Sequence, residues 1–242
     1  MSTYRTFIAI EIPADIRRRI KEHIEQLRAA CPDVRVSWTR EDNLHLTLKF
    51  LGDVPVARIP ALANAVTEAG DKINPFDLIV SGCGTFPPRG RPKVLWIGVD
   101  PGSADVLPAS SSLDAGNADV PSASSSAGSA GIRPASFSRD AANADVSSAP
   151  SLPPSSLPLS SLHAAVENHC AAAGFEREPR AFHPHLTIAR LRDSKGSRKL
   201  AEYHRQLGLT QQTFTVSELV VFRSELSDKG SKHTALSRHR LG

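Results

Sequence analysis

The sequence predicts an α+β fold built mainly on antiparallel sheet. Strand-length apolar runs alternate with helix-period segments along the chain. Few connections between the strands are long enough for repeated parallel crossovers. At 242 residues, 40% hydrophobic and 22% charged, the chain has the size and balance of one globular domain.

Arg5-Thr-Phe-Ile-Ala-Ile-Glu-Ile12 reads as a buried or half-buried strand. After Pro13, Asp15 to Ala30 forms an amphipathic helix with Ile16, Ile20, Ile24 and Leu27 on one face. Asn43 to Leu51 alternates Leu44, Leu46, Leu48 and Phe50 on one side of a strand. Ala57 to Asp71 is helical, and Phe76 to Val80 and Val94 to Val99 are strands around a Gly/Pro-rich turn at 82–92. Leu159 to Ala173 is a helix stopped by Gly174. A strand at 185–191, a polar loop and a strand from Thr213 to Arg223 follow. Glu225 to Leu241 closes as a hairpin turning at Asp228-Lys-Gly230.

Residues 101–160 depart from this pattern. Ser, Ala, Pro and Gly fill 41 of the 60 positions, with a single aromatic, Phe137. Ala-Asp-Val recurs at 104–106, 118–120 and 144–146 with irregular spacing, which marks low complexity rather than a solenoid repeat. Such a segment buries too little apolar surface to offset the entropy of ordering, so it is expected to be a disordered insertion within a single 1–242 domain. It carries five Asp and two Arg, which leaves 27 basic and 20 acidic side chains, a net +7, on the remainder. That balance favours an anionic partner as readily as it serves plain solubility.

No apolar run reaches membrane-spanning length, so no membrane association is expected. The opening MSTYRTFIAIEIP places charge inside its apolar run and does not read as a signal peptide. Three cysteines without a C-x-x-C pair fit a reducing, cytoplasmic setting better than a disulfide or zinc framework. The reading is of a monomer.

One short pattern occurs twice. Asn43-Leu-His45-Leu-Thr47-Leu-Lys-Phe-Leu51 is matched by His183-Pro-His185-Leu-Thr187-Ile-Ala-Arg-Leu191. From nine His, 23 Leu and 11 Thr, chance yields roughly 0.04 His-Leu-Thr triplets. On a strand, residues two apart share a face, so each histidine lies beside its threonine while the leucines turn to the core. Two imidazoles suit acid–base chemistry at phosphorus, one taking a proton and one giving it. Threonine hydroxyls can donate to phosphate oxygens. The sequence offers no cofactor motif and no His/Asp/Glu cluster at metal-ligand spacing, so neither cofactor nor metal is expected.

The paired motifs resemble those of the two-histidine phosphoesterase superfamily. The chain is most similar to its LigT-like branch, the RNA 2′,3′-cyclic phosphodiesterases also called 2′-5′ RNA ligases. The resemblance extends through Arg5-Thr-Phe-Ile-Ala-Ile10, Trp38, Glu41 to Gly52, Gly84-Thr-Phe-Pro87, Val94 to Val99, Phe182 to Arg190 and Phe222-Arg-Ser-Glu-Leu226. It implies a bilobal fold, two sheets facing across a cleft with helices outside, and pseudo-two-fold halves each carrying one H-x-T-x motif. It implies ATP-independent hydrolysis of RNA ends with 2′,3′-cyclic phosphate to 2′-phosphate, with possible reverse ligation. On the same ground His45 is the proton donor, His185 the proton acceptor, and Thr47 and Thr187 contact the phosphate. The long Ser/Ala/Pro insertion is unusual for the family. Where the family often has Gly-x-x-Tyr, this chain has Gly230-Ser-Lys-His233.

Lys49 and Arg190 are further candidates for holding the anion. Lys49 shares the His45–Thr47 face of a regular strand, whereas Arg190 falls opposite to His185. Structural charges are an equal reading for both. Trp38, Phe7 and Trp96 read as core, and His23, His163, His169, His204 and His239 as surface residues. Two other functions stay open: a phosphodiesterase for a small cyclic nucleotide or 2′-5′ linkage, and a noncatalytic RNA-end-binding module.

Overall fold

The computed structural model describes residues 2–101, 158–227 and 230–242. Their order is β1 (Thr3–Glu11), α1 (Ala14–Ala30), β2 (Val36–Trp38), β3 (His45–Pro55), α2 (Ile59–Gly70), β4 (Phe76–Phe86), β5 (Val94–Pro101), α3 (Pro158–Ala172), β6 (His185–Leu191), α4 (Ser197–Leu207), β7 (Gln212–Val216), β8 (Glu218–Ser227) and β9 (Gly230–Arg240). Of the insertion expected to be disordered over 101–160, residues 102–157 lie outside the described residues, while Pro101 ends β5 and 158–160 open α3. Two residues of the hairpin turn, 228 and 229, also lie outside.

Two sheets result, and every strand pairing in them is antiparallel. One has the order β3-β1-β8-β9 and the other β2-β6-β5-β4-β7. Helices α2 and α3 pack on the first sheet, and α4, with α1 beside it, packs on the second. The α+β expectation therefore holds. Ile8, Ile10, Leu46, Leu48 and Val221 of the first sheet join Leu62, Val66, Leu162 and Val166 of its helices in the core. Leu78, Leu95, Ile97, Leu186 and Ile188 of the second sheet continue the same core. The α1 stripe of Ile16, Ile20, Ile24 and Leu27 is buried as its period predicts, each side chain contributing about 1.5–3 kcal/mol.

Besides β2, a three-residue strand on β6 too short to show a period in sequence, three elements differ from expectation for identifiable reasons. The supposed polar loop after β6 contains α4, whose buried positions Ser197, Leu200, Ala201 and His204 keep helical spacing. Leu200, Tyr203 and Leu207 keep that spacing and pack on the core, but the helix is only eleven residues long, barely three turns of pattern. The single strand expected over 213–223 is two strands: β7 pairs with β4 in one sheet and β8 with β1 and β9 in the other, with Ser217 alone between them. Strand β4 runs on to Phe86, because Gly82, at φ +71°, takes the extra place of a bulge between Ser81 and Cys83.

Candidate active site

Each H-L-T motif opens a strand, and the two strands belong to different sheets that touch where β3 meets β6. On β3, Leu46 and Leu48 are buried while His45 and Thr47 take the other face. On β6, Leu186 and Ile188 are buried while His185 and Thr187 take the other face. The duplicated spacing thus produces one local arrangement twice.

Each imidazole is held in the same way. His45 Nδ1 lies 2.7 Å from the carbonyl oxygen of Asn43, and His185 Nδ1 lies 2.7 Å from that of His183. A carbonyl only accepts, so Nδ1 carries the proton in both rings and Nε2 is left for chemistry. The 3₁₀ turn Glu41–Asn43 sets the carbonyl for His45, and Asn43 Nδ2 donates to Ser231 O at 2.7 Å to anchor that turn to β9. Pro184 keeps its predecessor His183 extended, which presents the His183 carbonyl two residues before His185.

Aromatic rings wall both histidines. His45 stacks on Phe7 at 4.7 Å, with Phe222 at 6.3 Å and the His233 ring edge-on at 5.1 Å. Phe7, Ala9, Val220 and Phe222 form a small apolar cluster of their own on this face, separate from the main core. His185 meets Phe86 edge-on at 5.0 Å and Trp96 at 6.5 Å. The Trp96 indole lies over Gly84, where any Cβ would overlap the ring, so glycine is required there. Phe7 is therefore buried in the site face rather than in the main core, and Trp96 is half-buried beside His185. Trp38 lies under Arg28, 5.5 Å from its ring centre, and packs against the main core.

This environment makes both imidazoles weak bases. Burial, and secondarily the neighbouring His233, lower the His45 pKa from 6.5 to about 4, against a raising effect of the Asn43 hydrogen bond. Burial also lowers His185 against a raising effect of the His183 carbonyl hydrogen bond, and the Arg190 and His183 side chains add smaller lowering effects. His233 is lowered by burial as well.

A bulge in each motif strand decides the remaining candidates. Between β1 and β3 the register steps from Ala9↔Thr47 to Ile8↔Lys49, leaving Leu48 as an extra residue. Between β5 and β6 it steps from Trp96↔Thr187 to Leu95↔Ala189, leaving Ile188 extra. The extra residue reverses the alternation beyond it. Lys49, expected on the His45 face, is turned inward and is 1% exposed. Its three N–H donors go to Glu167 Oε1 and Oε2 at 2.8 and 2.9 Å and to Glu176 O at 2.7 Å. The anion-binding expectation for Lys49 is thereby corrected: it is a buried structural cation. Arg190, expected opposite to His185, is returned to the face of His185 and Thr187 and is exposed.

The same step brings out Phe50, 58% exposed, at the position of β3 that matches Arg190 of β6. Strand alternation alone put Phe50 on the buried leucine side, although it and Arg190 both stand five after their histidine. Phe222 and His233 stand out in sequence only through the family resemblance, Phe222 within a matching stretch and His233 where the family often has tyrosine; strand pairing is what brings β8 and β9 beside His45. Three histidines read as surface residues are buried instead: His23, His204 and His239, at 3%, 0% and 9% exposed.

Comparison with known proteins follows the same outline. The family model described as LigT like phosphoesterase matches residues 10–96 and 152–232, spans that contain both motifs. A Methanothermobacter thermautotrophicus protein named RNA 2′,3′-cyclic phosphodiesterase is 25% identical over 98% of this chain and 98% of its own. A Geobacillus stearothermophilus protein of the same name is 24% identical over 97% of this chain, which spans 56% of that relative's length. Among solved structures, a Thermus thermophilus protein matches with TM-score 0.62 and 18% identity over 98% of this chain and 97% of its own. Escherichia coli LigT complexed with 3′-AMP matches with TM-score 0.57 and 21% identity over 99% of both chains. These structural likenesses concern the fold.

Proposed function

Because the chain belongs to the LigT-like phosphoesterase family, we propose that it is a phosphodiesterase that opens the terminal 2′,3′-cyclic phosphate of RNA and leaves a 2′-phosphate end. The observation that carries this reading is the repeated unit, an imidazole fixed at Nδ1 with a threonine two residues on, present once on each sheet. His185 Nε2 takes a proton from water as the water oxygen attacks phosphorus. The P–O3′ bond breaks, and protonated His45 gives its Nε2 proton to O3′, which departs as the 3′-hydroxyl. Proton exchange with solvent then resets both rings. Thr47 and Thr187 donate to the non-bridging oxygens, and Arg190 supplies a cation on the same face. An RNA 5′-hydroxyl in place of water gives a 2′–5′ linkage by the same transfers.

The scheme runs on side-chain protons, and a chelator is expected to leave it intact. RNA oligonucleotides ending in 2′,3′-cyclic phosphate, incubated in EDTA, are expected to yield 2′-phosphate and 3′-hydroxyl ends. Binding without conversion would select the noncatalytic module, and preference for a free cyclic nucleotide would select the small-substrate phosphodiesterase.

The lowered basicities fix the pH dependence of kcat/KM, which reports the free enzyme. Rate requires one ring protonated and the other neutral, giving a bell. Both rings titrate below the ordinary 6.5, so the alkaline limb is expected to fall on the acid side of that value. Histidine NMR titration with inorganic phosphate as the probe should move the His45 midpoint up from about 4, since an anion against the ring favours its charged form.

A further inference from the structure

The second sheet carries a cluster of donors that the proposed chemistry does not use. His23 of α1, Cys83 of β4 and His204 of α4 each offer a ligand atom, and the three atoms lie within 4.8 Å of one another. Cys83 registers with Ile97, and Ile97 with Leu186. Leu186 alternates with His185 and Thr187, so the cluster lies on the far face of the sheet from the candidate active site.

The hydrogen bonds around the two rings show where their lone pairs go. His204 Nε2 donates to Trp96 O at 3.0 Å, so its Nδ1 is the bare nitrogen. His23 has a backbone hydrogen bond with Gly208, of the sense that favours its protonated form, and its Nε2 faces His204 Nδ1 at 2.8 Å. The neutral His23 ring donates its Nε2 proton to that bare nitrogen, so the two rings form a buried hydrogen bond. A metal ion takes the place of this shared proton once the His23 proton shifts to Nδ1. The Cys83 sulfur brought to the same point is a soft third donor, and a histidine that gives its outer N–H to a backbone carbonyl, as His204 does, is the usual support of a metal centre.

We propose that His23 Nε2, His204 Nδ1 and Cys83 Sγ hold a single Zn(II)-class ion that ties α1 and α4 to β4. Binding releases the Cys83 thiol proton to solvent, and the sulfur coordinates as thiolate. The role is structural. The link to the active site is indirect: His204 fixes the Trp96 backbone, and the Trp96 ring borders His185.

The test uses the full chain, stripped with chelator and dialysed into metal-free buffer. Titration with Zn(II) against a chromophoric chelator is expected to show one equivalent bound, with a rise in Tm. Titration with Co(II) is expected to show a thiolate-to-cobalt charge-transfer band. Cys83→Ser, a near-isosteric change at a half-buried position, should abolish the band and weaken Zn(II) binding at least tenfold, and His204→Gln should weaken it likewise. The His45→Ala and His185→Ala proteins should bind as the parent does. No stoichiometric Zn(II) uptake, a Co(II) complex without the thiolate band, or a band that survives Cys83→Ser would each overturn the proposal. None of these outcomes touches the phosphodiesterase reading, which is measured separately with RNA ends.

Discussion

His45→Ala and His185→Ala are each expected to lower kcat on a 2′,3′-cyclic phosphate RNA end by about 10²–10⁴-fold, the usual cost of losing a positioned acid or base. The fold should survive, because neither ring belongs to the main core and the Nδ1 hydrogen bond of each runs to a carbonyl of its own chain segment. Far-UV circular dichroism and Tm would establish that, and single-turnover assays at saturating substrate would separate chemistry from binding. The phosphate contacts proposed for Thr47 and Thr187 predict a smaller loss in their Ala or Val variants. If either histidine variant turned over at parental rate, its proton-transfer role would be refuted.

Lys49→Met is expected to destabilise the protein by about 3–5 kcal/mol, because it leaves the Glu167 carboxylate buried without its cation. Urea unfolding measures the loss. The same change frees the Glu176 carbonyl and loosens Glu167, whose Oε2 also accepts from Glu178 N at 3.2 Å. Those bonds fasten the stretch between α3 and β6, the run that delivers His183, Pro184 and His185. The double variant Lys49→Met, Glu167→Leu should recover much of the stability, since an apolar pair replaces an ion pair at little net cost. Were Lys49 a phosphate ligand instead, the single variant would raise KM and leave unfolding unchanged.

The contrast between Lys49 and His45 shows what was legible in the sequence. The His–Thr alternation obeys a two-residue period within one strand, so the face of all four motif residues follows from spacing alone. The bulges at Leu48 and Ile188 depend on the partner strands β1 and β5. They exchange the expected fates of Lys49 and Arg190, and nothing within either motif announces them. The α1 stripe was readable for the same local reason. Helix α4 was not read, although Leu200, Ala201, Tyr203 and Leu207 keep helical spacing, because its eleven residues give barely three turns of pattern. The pairing of His23 with His204 spans 181 positions and exists only once the helices are placed. Local periodicity carried most of the elements and the His45/His185 pair, while register and helix packing carried everything that depends on a second strand or helix.

Ser217 gives the molecule a mechanical property. The chain passes from one sheet to the other through that one residue, and Leu241 N donates to its carbonyl at 2.9 Å, pinning the joint with the C-terminal segment. Twisting the His45 sheet against the His185 sheet loads this short tether directly, with no slack linker there to absorb torsion. The joint is thus a stiff coupling rather than a free hinge, favouring a preset spacing of the two imidazoles over large opening and closing strokes.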